Sequence, residues 1–552
     1  DFCLSRGLGD VYKRQHLYVW GLPVKTLGPL PEKLVVLDVR KCGWLDCVEG
    51  IPSAKLKVLL IWDCPALSGL PHLETLEWLE ELDFRGLPLL GEEWIHEALG
   101  RTTQKLWKIN LSGCGQLERV PRLKVGLKDL RINDCPRLKA LPGGWPPGLR
   151  RLELANTPLT SDALPPWVET LDYVNMEGMS KLTALPEGLP EQAESFPRTL
   201  FLFGSGVRQP PAIMHGKGSD ENVADSVFRY FQQGGEVGFG SIRRCKLLFL
   251  GNGQAGKTSL ALSLEGDPNP TETATRKGST HGIRLRSREI VPLGTVKTDT
   301  IRLDHWDFGG QEIYHNAHAK FVQAGSLFLV VWFPEQDGKG KAVCPVTGYE
   351  DILHPLRYWL DLVSSRTSGR GRVLIVASHC GILSDALLKR CNEQRAGYVT
   401  DQIKVMANDA GTGTGQLNTI VDWVGTNAGN LVEAEGEHVP IHWKIAEDLV
   451  NRWLSDKVVG RTRDLSFEQF RDDLAEEVKA RVKEDEYGEF AKLAAALEKT
   501  DGFRIDDEIT RQTLHVLTNL GALYWSEELF DRRVLSGRTG PCGESTRRWT
   551  AR

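Results

Sequence analysis

Between residues 34 and 176 one apolar pattern, Leu-x-x-Leu-x-apolar, returns seven times, and it constrains that stretch more tightly than any other feature of the chain. The copies are Leu34/Leu37/Val39, Leu56/Leu59/Ile61, Leu79/Leu82/Phe84, Leu106/Ile109/Leu111, Leu127/Leu130/Ile132, Leu149/Leu152/Leu154 and Leu171/Val174/Met176. Successive starts lie 22, 23, 27, 21, 22 and 22 residues apart. A unit of that size cannot bury its apolar side alone, so neighbours must stack into a solenoid with one short strand per coil. Cys42, Cys64, Cys114 and Cys135 hold one common position, each followed three residues later by leucine. They read as small buried coil residues and not as metal ligands. Leu-Pro pairs at Leu70-Pro71, Leu141-Pro142 and Leu185-Pro186 suit the return side, where a missing N–H is tolerated.

Behind the repeats stand two further motifs. Gly251-Asn252-Gly253-Gln254-Ala255-Gly256-Lys257-Thr258 fits G-x-x-x-x-G-K-[ST] without mismatch, directly after the apolar run Cys245 to Leu250, with Ser259 to Leu264 continuing at helix-compatible spacing. A strand, glycine turn and helix in that order aim backbone N–H groups at phosphate oxygens. Lys257 would reach the β/γ-phosphates and Thr258 would ligate Mg²⁺. Asp307-Phe308-Gly309-Gly310-Gln311-Glu312 follows a β-type stretch from Thr300 to Trp306; it has the form D-x-x-G-Q and resembles switch II of Ras-like GTPases. By that resemblance Asp307 belongs to the Mg²⁺ shell, the Gly310 N–H touches the terminal phosphate and Gln311 orients the attacking water. Phosphoryl transfer then rests on positioning and charge neutralisation, with Lys257 and Gln311 as the catalytic pair and slow unaided turnover.

Composition limits the alternatives. The chain has 552 residues, enough for three or four units, and Lys+Arg 68 against Asp+Glu 73 gives a formal charge of −5. No global field draws it to nucleic acid or anionic lipid. The apolar run Leu327 to Phe333 is too short to span a bilayer and suits a buried central strand. Eleven cysteines without a C-x-x-C pair are sparse for the length, and with a nucleotide motif they point to the cytoplasm. His305, His315 and His318 invite a metal reading, but His315 and His318, three residues apart, have no evident third ligand, and the reading is rejected. The residues before His16 show no repeat and are treated as a fragment end.

With repeats, phosphate loop and D-F-G-G-Q-E in that order, the chain resembles the Roco family, in which a Ras-like Roc domain precedes a COR domain. The likeness is carried by Lys246 to Leu260, by W-D-F-G-G-Q-E-I-Y-H-N-A-H from Trp306 to His318, by Leu327 to Phe333 and by Val439-Pro440-Ile441-His442-Trp443. Independently, Ile441, Ile445, Leu449 and Trp453 recur every four residues, Ser466-Phe467-Glu468-Gln469 is a capping box, and Phe470, Leu474 and Val478 follow on one face. Leu514, Leu517 and Leu520 before Ala522 to Trp525 predict a helix and then a strand. After Leu535 the pattern dissolves, so the second half of COR and the kinase of some relatives are expected to be missing. The resemblance implies GTP and GDP as ligands, Mg²⁺ as cofactor, slow hydrolysis and dimerisation through COR.

Two elements depart from the Ras pattern or leave a choice. Ser378 and His379 match a T-H-x-D base-reading element, but Gly381 stands where its aspartate should be; Asp385 could replace it only with a rearranged loop. For switch I, Ser279-Thr280-His281-Gly282 resembles the family's T-H-G motif, which selects Thr280 over Thr273 and Thr275. The nucleotide set is therefore Gly251 to Ser259, Thr280, Asp307, Gly310, Ser378 and His379, with Thr258, Thr280 and Asp307 on the metal. The expected fold is multidomain: 1–15 unassigned, an α/β leucine-rich-repeat solenoid over 16–208, a linker over 209–240, an α/β Ras-like P-loop G domain over 241–435, and a mainly helical α+β partial COR domain over 436–552. The repeats are expected to bind an unidentified protein, and the strand positions expected to be exposed, such as Arg40, Trp62, Arg131, Asn133 and Glu153, vary in chemistry and name no ligand. Two readings stay open beside the GTP switch, a non-catalytic scaffold and an NTPase of relaxed base choice that includes ATP.

Overall fold

Every leucine, valine, isoleucine, phenylalanine and methionine of the seven copies is buried in one apolar cluster. In the computed structural model, which describes residues 15–536 apart from short stretches such as 50–54, 69–75, 90–104, 121–125, 293–299, 311–318, 344–349, 380–383, 399–402, 409–413, 456–462 and 526–532, this cluster lies under a parallel sheet. Its strands are His16–Trp20, Val36–Arg40, Val58–Trp62, Glu81–Asp83, Lys108–Asn110, Asp129–Arg131, Arg151–Glu153, Tyr173–Asn175 and Thr199–Phe201, paired in sequence order. Nine strands stand where seven copies were expected. The two extra coils flank the seven, and each lacks the leading leucine: Arg14 stands three residues before the partly buried Leu17, and Pro197 three before the buried Leu200.

A second repeating signal is conformational. Gly21, Lys41, Asp63, Gly86, Gly113, Asp134, Asn156, Gly178 and Gly204 turn the chain after each strand with φ between 54° and 76°. That left-handed corner favours glycine, asparagine and aspartate, and Lys41 is the exception. The four repeat cysteines are fully buried, with thiols directed at backbone carbonyls of Arg40, Trp62, Phe84 and Leu111.

The chain divides at Gln232/Gln233. The stretch expected as a linker, 209–240, instead holds the helix Ala224–Val237, and Val223, Ala224 and Val227 are buried in the core of the first unit. Its apolar residues face that core at helical spacing, which polar and glycine-rich neighbours concealed in the sequence.

In the second unit a six-stranded sheet is built from β1 (Arg244–Leu250), β2 (Ile283–Ile290), β3 (Ile301–Phe308), β4 (Ser326–Trp332), β5 (Arg372–Ser378) and β6 (Ile403–Asn408), in the order β2-β3-β1-β4-β5-β6. Only β2 is antiparallel to its neighbour. All seven residues of β1 and of β4 are buried, as central strands covered on both faces must be. Helices α1 (Lys257–Leu264), α2 (Pro270–Lys277), α3 (Leu356–Thr367), α4 (Asp385–Gln394) and α5 (Thr414–Glu435) connect the strands. Cys245, Leu247 and Phe249 pack with apolar residues of α1 and α5, while Leu248 and Leu250 pack with those of α3. Period-two alternation along one strand thus serves two layers of helix.

Helices α6 (Ile441–Ser455), α7 (Phe467–Glu484), α8 (Ala491–Glu498) and α9 (Asp507–Asn519) follow. Both halves of the capping box at Ser466 and Gln469 form, and Phe470, Leu474 and Val478 are buried on the inner face of α7. Strands Arg463–Ser466, Tyr524–Trp525 and Arg533–Ser536 make a small sheet, so the predicted helix and strand after residue 507 are both present. Arg244 of β1, buried, bonds Asp304 of β3 at 2.5 Å, Glu447 at 3.2 Å and Asn451 at 2.8 Å, the last two on α6. A buried guanidinium with several partners locks α6 to the root of β3, since each group would be costly alone.

Candidate functional site

The glycine loop after β1 is bent by backbone conformation that the sequence permits at few residues. Gly251 has φ +141°, and a Cβ there would lie 2.3 Å from the Val331 carbonyl. Gly256, at φ +90°, caps α1 and needs the same freedom. Gln254 takes φ +61° and stands exposed at the loop tip. Ala255 is fully buried beneath the loop, and Ser259 stands in the first turn of α1, its carbonyl accepting from the Ser263 hydroxyl. Lys257, nearly buried, curls back so that Nζ donates to the carbonyls of Gly251 at 2.9 Å and Asn252 at 2.6 Å.

Thr258, Thr280 and Asp307 converge although 49 residues separate the first from the last. Asp307 Oδ2 accepts from Thr258 Oγ1 at 2.8 Å and from Thr280 Oγ1 at 3.2 Å, and the two hydroxyls are 3.0 Å apart. Thr280 is buried, whereas Thr273 and Thr275 lie in α2 and bond Asp267 and the Thr271 carbonyl. Burial pushes the Asp307 carboxyl above its ordinary range, against the opposite pull of Lys257, the Thr258 hydroxyl, Arg284 and the Thr280 hydroxyl. Its Oδ1 is shut from solvent and has no hydrogen-bond partner. A small hard cation suits that donor set: a carboxylate oxygen with nothing else to bind, two hydroxyl oxygens beside it, and a charge that would lower the raised carboxyl again. Among the described residues no His/Cys/Asp/Glu cluster offers another metal site.

Gly310 closes the same site. A Cβ at this position would fall 2.4 Å from the Gly253 nitrogen and 2.5 Å from the Asn252 carbonyl, so the segment after β3 lies against the glycine loop and only glycine allows it. Gln311, Glu312, His315 and His318 lie outside the described residues, as does Gly381. Ser378, buried at the end of β5, turns its hydroxyl to the Trp332 carbonyl at 3.4 Å. His379 is exposed at φ +56°, with its ring 4.5 Å from that of Phe333. Asp385 begins α4 behind the cap Ser384.

The side chain of Asn252, expected on the nucleotide, faces elsewhere. Its Nδ2 donates to the His354 carbonyl at 2.9 Å, and its Oδ1 accepts from the His354 N–H at 3.1 Å and from Trp359 Nε1 at 3.3 Å. The phosphate loop is thereby clasped to the start of α3, a contact between residues 102 to 107 apart that no motif announces. The repeat positions also need correction. Glu153, expected exposed, is 7% exposed and bridges to Arg151, while Trp62 lies beneath Arg40 and Arg85 at 4.9 and 4.5 Å.

Residues 246–381 match the family model described as "Ras of Complex, Roc, domain of DAPkinase". Proteins with a Roc-COR arrangement align well beyond it: a Roc-COR-CHAT protease from an unknown prokaryotic organism is 28% identical over 273 residues. The chain carries a Roc domain over residues 246–381 and is similar to Roco-family proteins. That alignment covers 46% of this chain and 22% of the relative. The Runella zeae Roc-COR-CHAT protease is 26% identical over 24% of this chain and 14% of its own length. The Dictyostelium discoideum probable serine/threonine-protein kinase pats1 is 22% identical over 39% of this chain and 7% of its own. The chain thus spans less than a quarter of each of these relatives. A solved structure of Methanosarcina barkeri Roco2 RocCORdC bound to GDP aligns at 18% identity and TM-score 0.36, covering 55% of this chain and 75% of that one. Within the Roc segment fall the phosphate loop, Thr280, Asp307 and Gly310. No described helix is long and apolar enough to cross a membrane.

Proposed function

We propose that this chain is a Roco-type molecular switch that binds GTP and GDP with Mg²⁺ and hydrolyses GTP slowly. The observation that carries the reading is the unpartnered Asp307 Oδ1 beside the paired hydroxyls of Thr258 and Thr280. When bound, Mg²⁺ would supply neutralisation of charge on the phosphate oxygens. Thr258, Thr280 and Asp307 would hold it, and Lys257, released from its loop carbonyls, would meet the β/γ-phosphates. Gly310 would offer its N–H to the terminal phosphate, and Gln311 would orient water. Because Thr280 and Gly310 belong to segments that follow α2 and β3, loss of the terminal phosphate would free both, which is the physical content of a switch.

The leucine-patterned coils over 16–208 act in this proposal as a leucine-rich-repeat module that binds another protein, supported by the strand-per-coil sheet and the repeated left-handed corner. The helices after residue 436 are assigned to COR, supported by V-P-I-H-W and the Arg244 contacts to α6, and to self-association by the family resemblance alone. One second reading has a specific residue behind it. Gly381 in place of the aspartate of the base-reading element favours relaxed base choice, since hydrogen bonds to a charged acceptor are worth about 1.5–3 kcal/mol each.

The test is a titration with fluorescent GDP, GTP, ADP and ATP, with and without Mg²⁺, beside Lys257→Ala. Mg²⁺-dependent, guanine-selective binding that Lys257→Ala abolishes is the expected result. Equal affinity for adenine nucleotides moves the assignment to an NTPase of relaxed base choice, and absence of binding refutes the switch.

A further inference from the structure

Strand β2 reads Ile-Arg-Leu-Arg-Ser-Arg-Glu-Ile from Ile283 to Ile290. Ile283 and Leu285 pack with the cluster that holds Trp306 and Phe308, so Arg284, Arg286 and Arg288 share the opposite face, that of α1. Their antiparallel partners on β3 are Asp307, His305 and Leu303. Residues directly opposite in such a pair present their side chains to the same face.

The face holds a carboxylate for two of the three arginines. Arg286 Nη1 lies 2.5 Å from Glu265 Oε2 at the end of α1, and Arg288, held below the ordinary guanidinium range by burial, feels the pull of the same Glu265. Arg284 has a different environment. Its Nη1 is closed to solvent and has no hydrogen-bond partner, and Oδ1 of its cross-strand partner Asp307 is in the same state. The two groups are on paired residues, carry opposite charge and do not bond each other. Stranding either one is costly. A ligand that brings a cation for the carboxylate and anionic oxygens for the guanidinium would satisfy both at once.

We propose that Arg284 is an anion-binding residue for the phosphate end of the bound nucleotide, an arginine supplied by this chain itself next to Asp307. The assignment rests on the nucleotide reading above, and it concerns phosphoryl oxygens only, whatever the base. Thr280, four residues earlier, belongs to the same lead into β2, so one segment would carry both a hydroxyl for the metal and a guanidinium for the phosphate. A planar cation beside the terminal phosphate adds charge neutralisation that Lys257 alone does not provide.

The experiment compares wild type, Arg284→Gln and Arg284→Lys in equilibrium binding of a slowly hydrolysed GTP analogue and of GDP across a Mg²⁺ series, with phosphate release as a second readout. Arg284→Gln should weaken the triphosphate analogue about 10- to 100-fold. GDP affinity should change by less than about 3-fold, and Arg284→Lys should fall between wild type and Arg284→Gln. Equal weakening of both nucleotides, relieved by excess Mg²⁺, would mean that Arg284 only balances Asp307 and overturns the proposal. So would unchanged affinities. If Arg284→Gln does not fold, the ratio of analogue to GDP affinity in Arg284→Lys decides by the same criterion. Failure of the wild-type chain to bind any nucleotide refutes the switch reading itself, whereas wild-type binding that ignores Arg284 refutes only this assignment.

Discussion

Replacing Asn252 by alanine tests the clasp between the phosphate loop and α3. The side chain is 8% exposed and makes three hydrogen bonds, two with the backbone of His354 and one from the indole of Trp359, which is itself 3% exposed. Alanine removes all three, the one from the buried Trp359 indole included. An ordinary hydrogen bond contributes about 0.5–1.5 kcal/mol net, so the loss of three should be roughly 2–4 kcal/mol. In a domain of this size that lowers the thermal midpoint by roughly 5–10 °C. Thermal and urea unfolding should be followed in Asn252→Ala, Trp359→Phe and the double variant. The shared bond predicts that the double variant is less destabilised than the sum of the singles, by about 0.5–1 kcal/mol. GDP affinity should fall only in step with stability, because the side chain faces α3. Stability within about 0.5 kcal/mol of wild type with strictly additive singles would refute the clasp. A large loss of affinity at unchanged stability would instead put Asn252 on the ligand.

Gly310→Ala places a Cβ 2.4 Å from the Gly253 nitrogen, so the loop and the segment after β3 must part by about 1 Å to restore ordinary contact. Displacements of that size can lower rates about 100-fold, so phosphate release should collapse while the unfolding midpoint stays near wild type; an unchanged rate would show that the two backbones need not meet. His442, fully buried between Trp443 and Phe503, is held by burial at a pKa of about 3, below the ordinary histidine value of 6.5. Its folded-state value is depressed, so the unfolded chain binds the extra proton between those values: the stability contribution is full above pH 6.5 and is lost as pH falls toward 3. His442→Phe should remove up to about 1.4 kcal/mol per pH unit from the acid slope of stability, measured by urea unfolding between pH 4 and 7, and identical slopes would refute it.

Much of the architecture was legible because it is local or periodic. Leu34 to Met176 repeat at a period that only stacked coils satisfy, and all of them are buried. Ser466 and Gln469 announce the start of α7 through a cap that needs four consecutive residues. The phosphate loop is likewise contiguous, and its glycines take the backbone angles that their lack of a Cβ permits. Thr280 required more: the choice over Thr273 and Thr275 rested on a short resemblance, and the geometry that brings it to Asp307 separates it from them.

Other features had no local signature. Arg14 and Pro197 hide two flanking coils because they stand where the leading leucine of the pattern would, and the helix Ala224–Val237 hides in a stretch whose apolar residues are few. Asn252 shows the division most plainly. Its place in the loop follows from eight contiguous residues, but the direction of its amide depends on His354 and Trp359, more than a hundred positions away. The alternation of arginines along β2 is visible in the sequence, yet only pairing with β3 sets Arg284 opposite Asp307 and leaves Nη1 of the one and Oδ1 of the other without a hydrogen bond. Sequence alone determined which backbone could bend, repeat or cap, since those properties belong to single residues and short windows. The partner of each polar side chain was decided only by the tertiary structure, because a hydrogen bond depends on distances that chain topology sets.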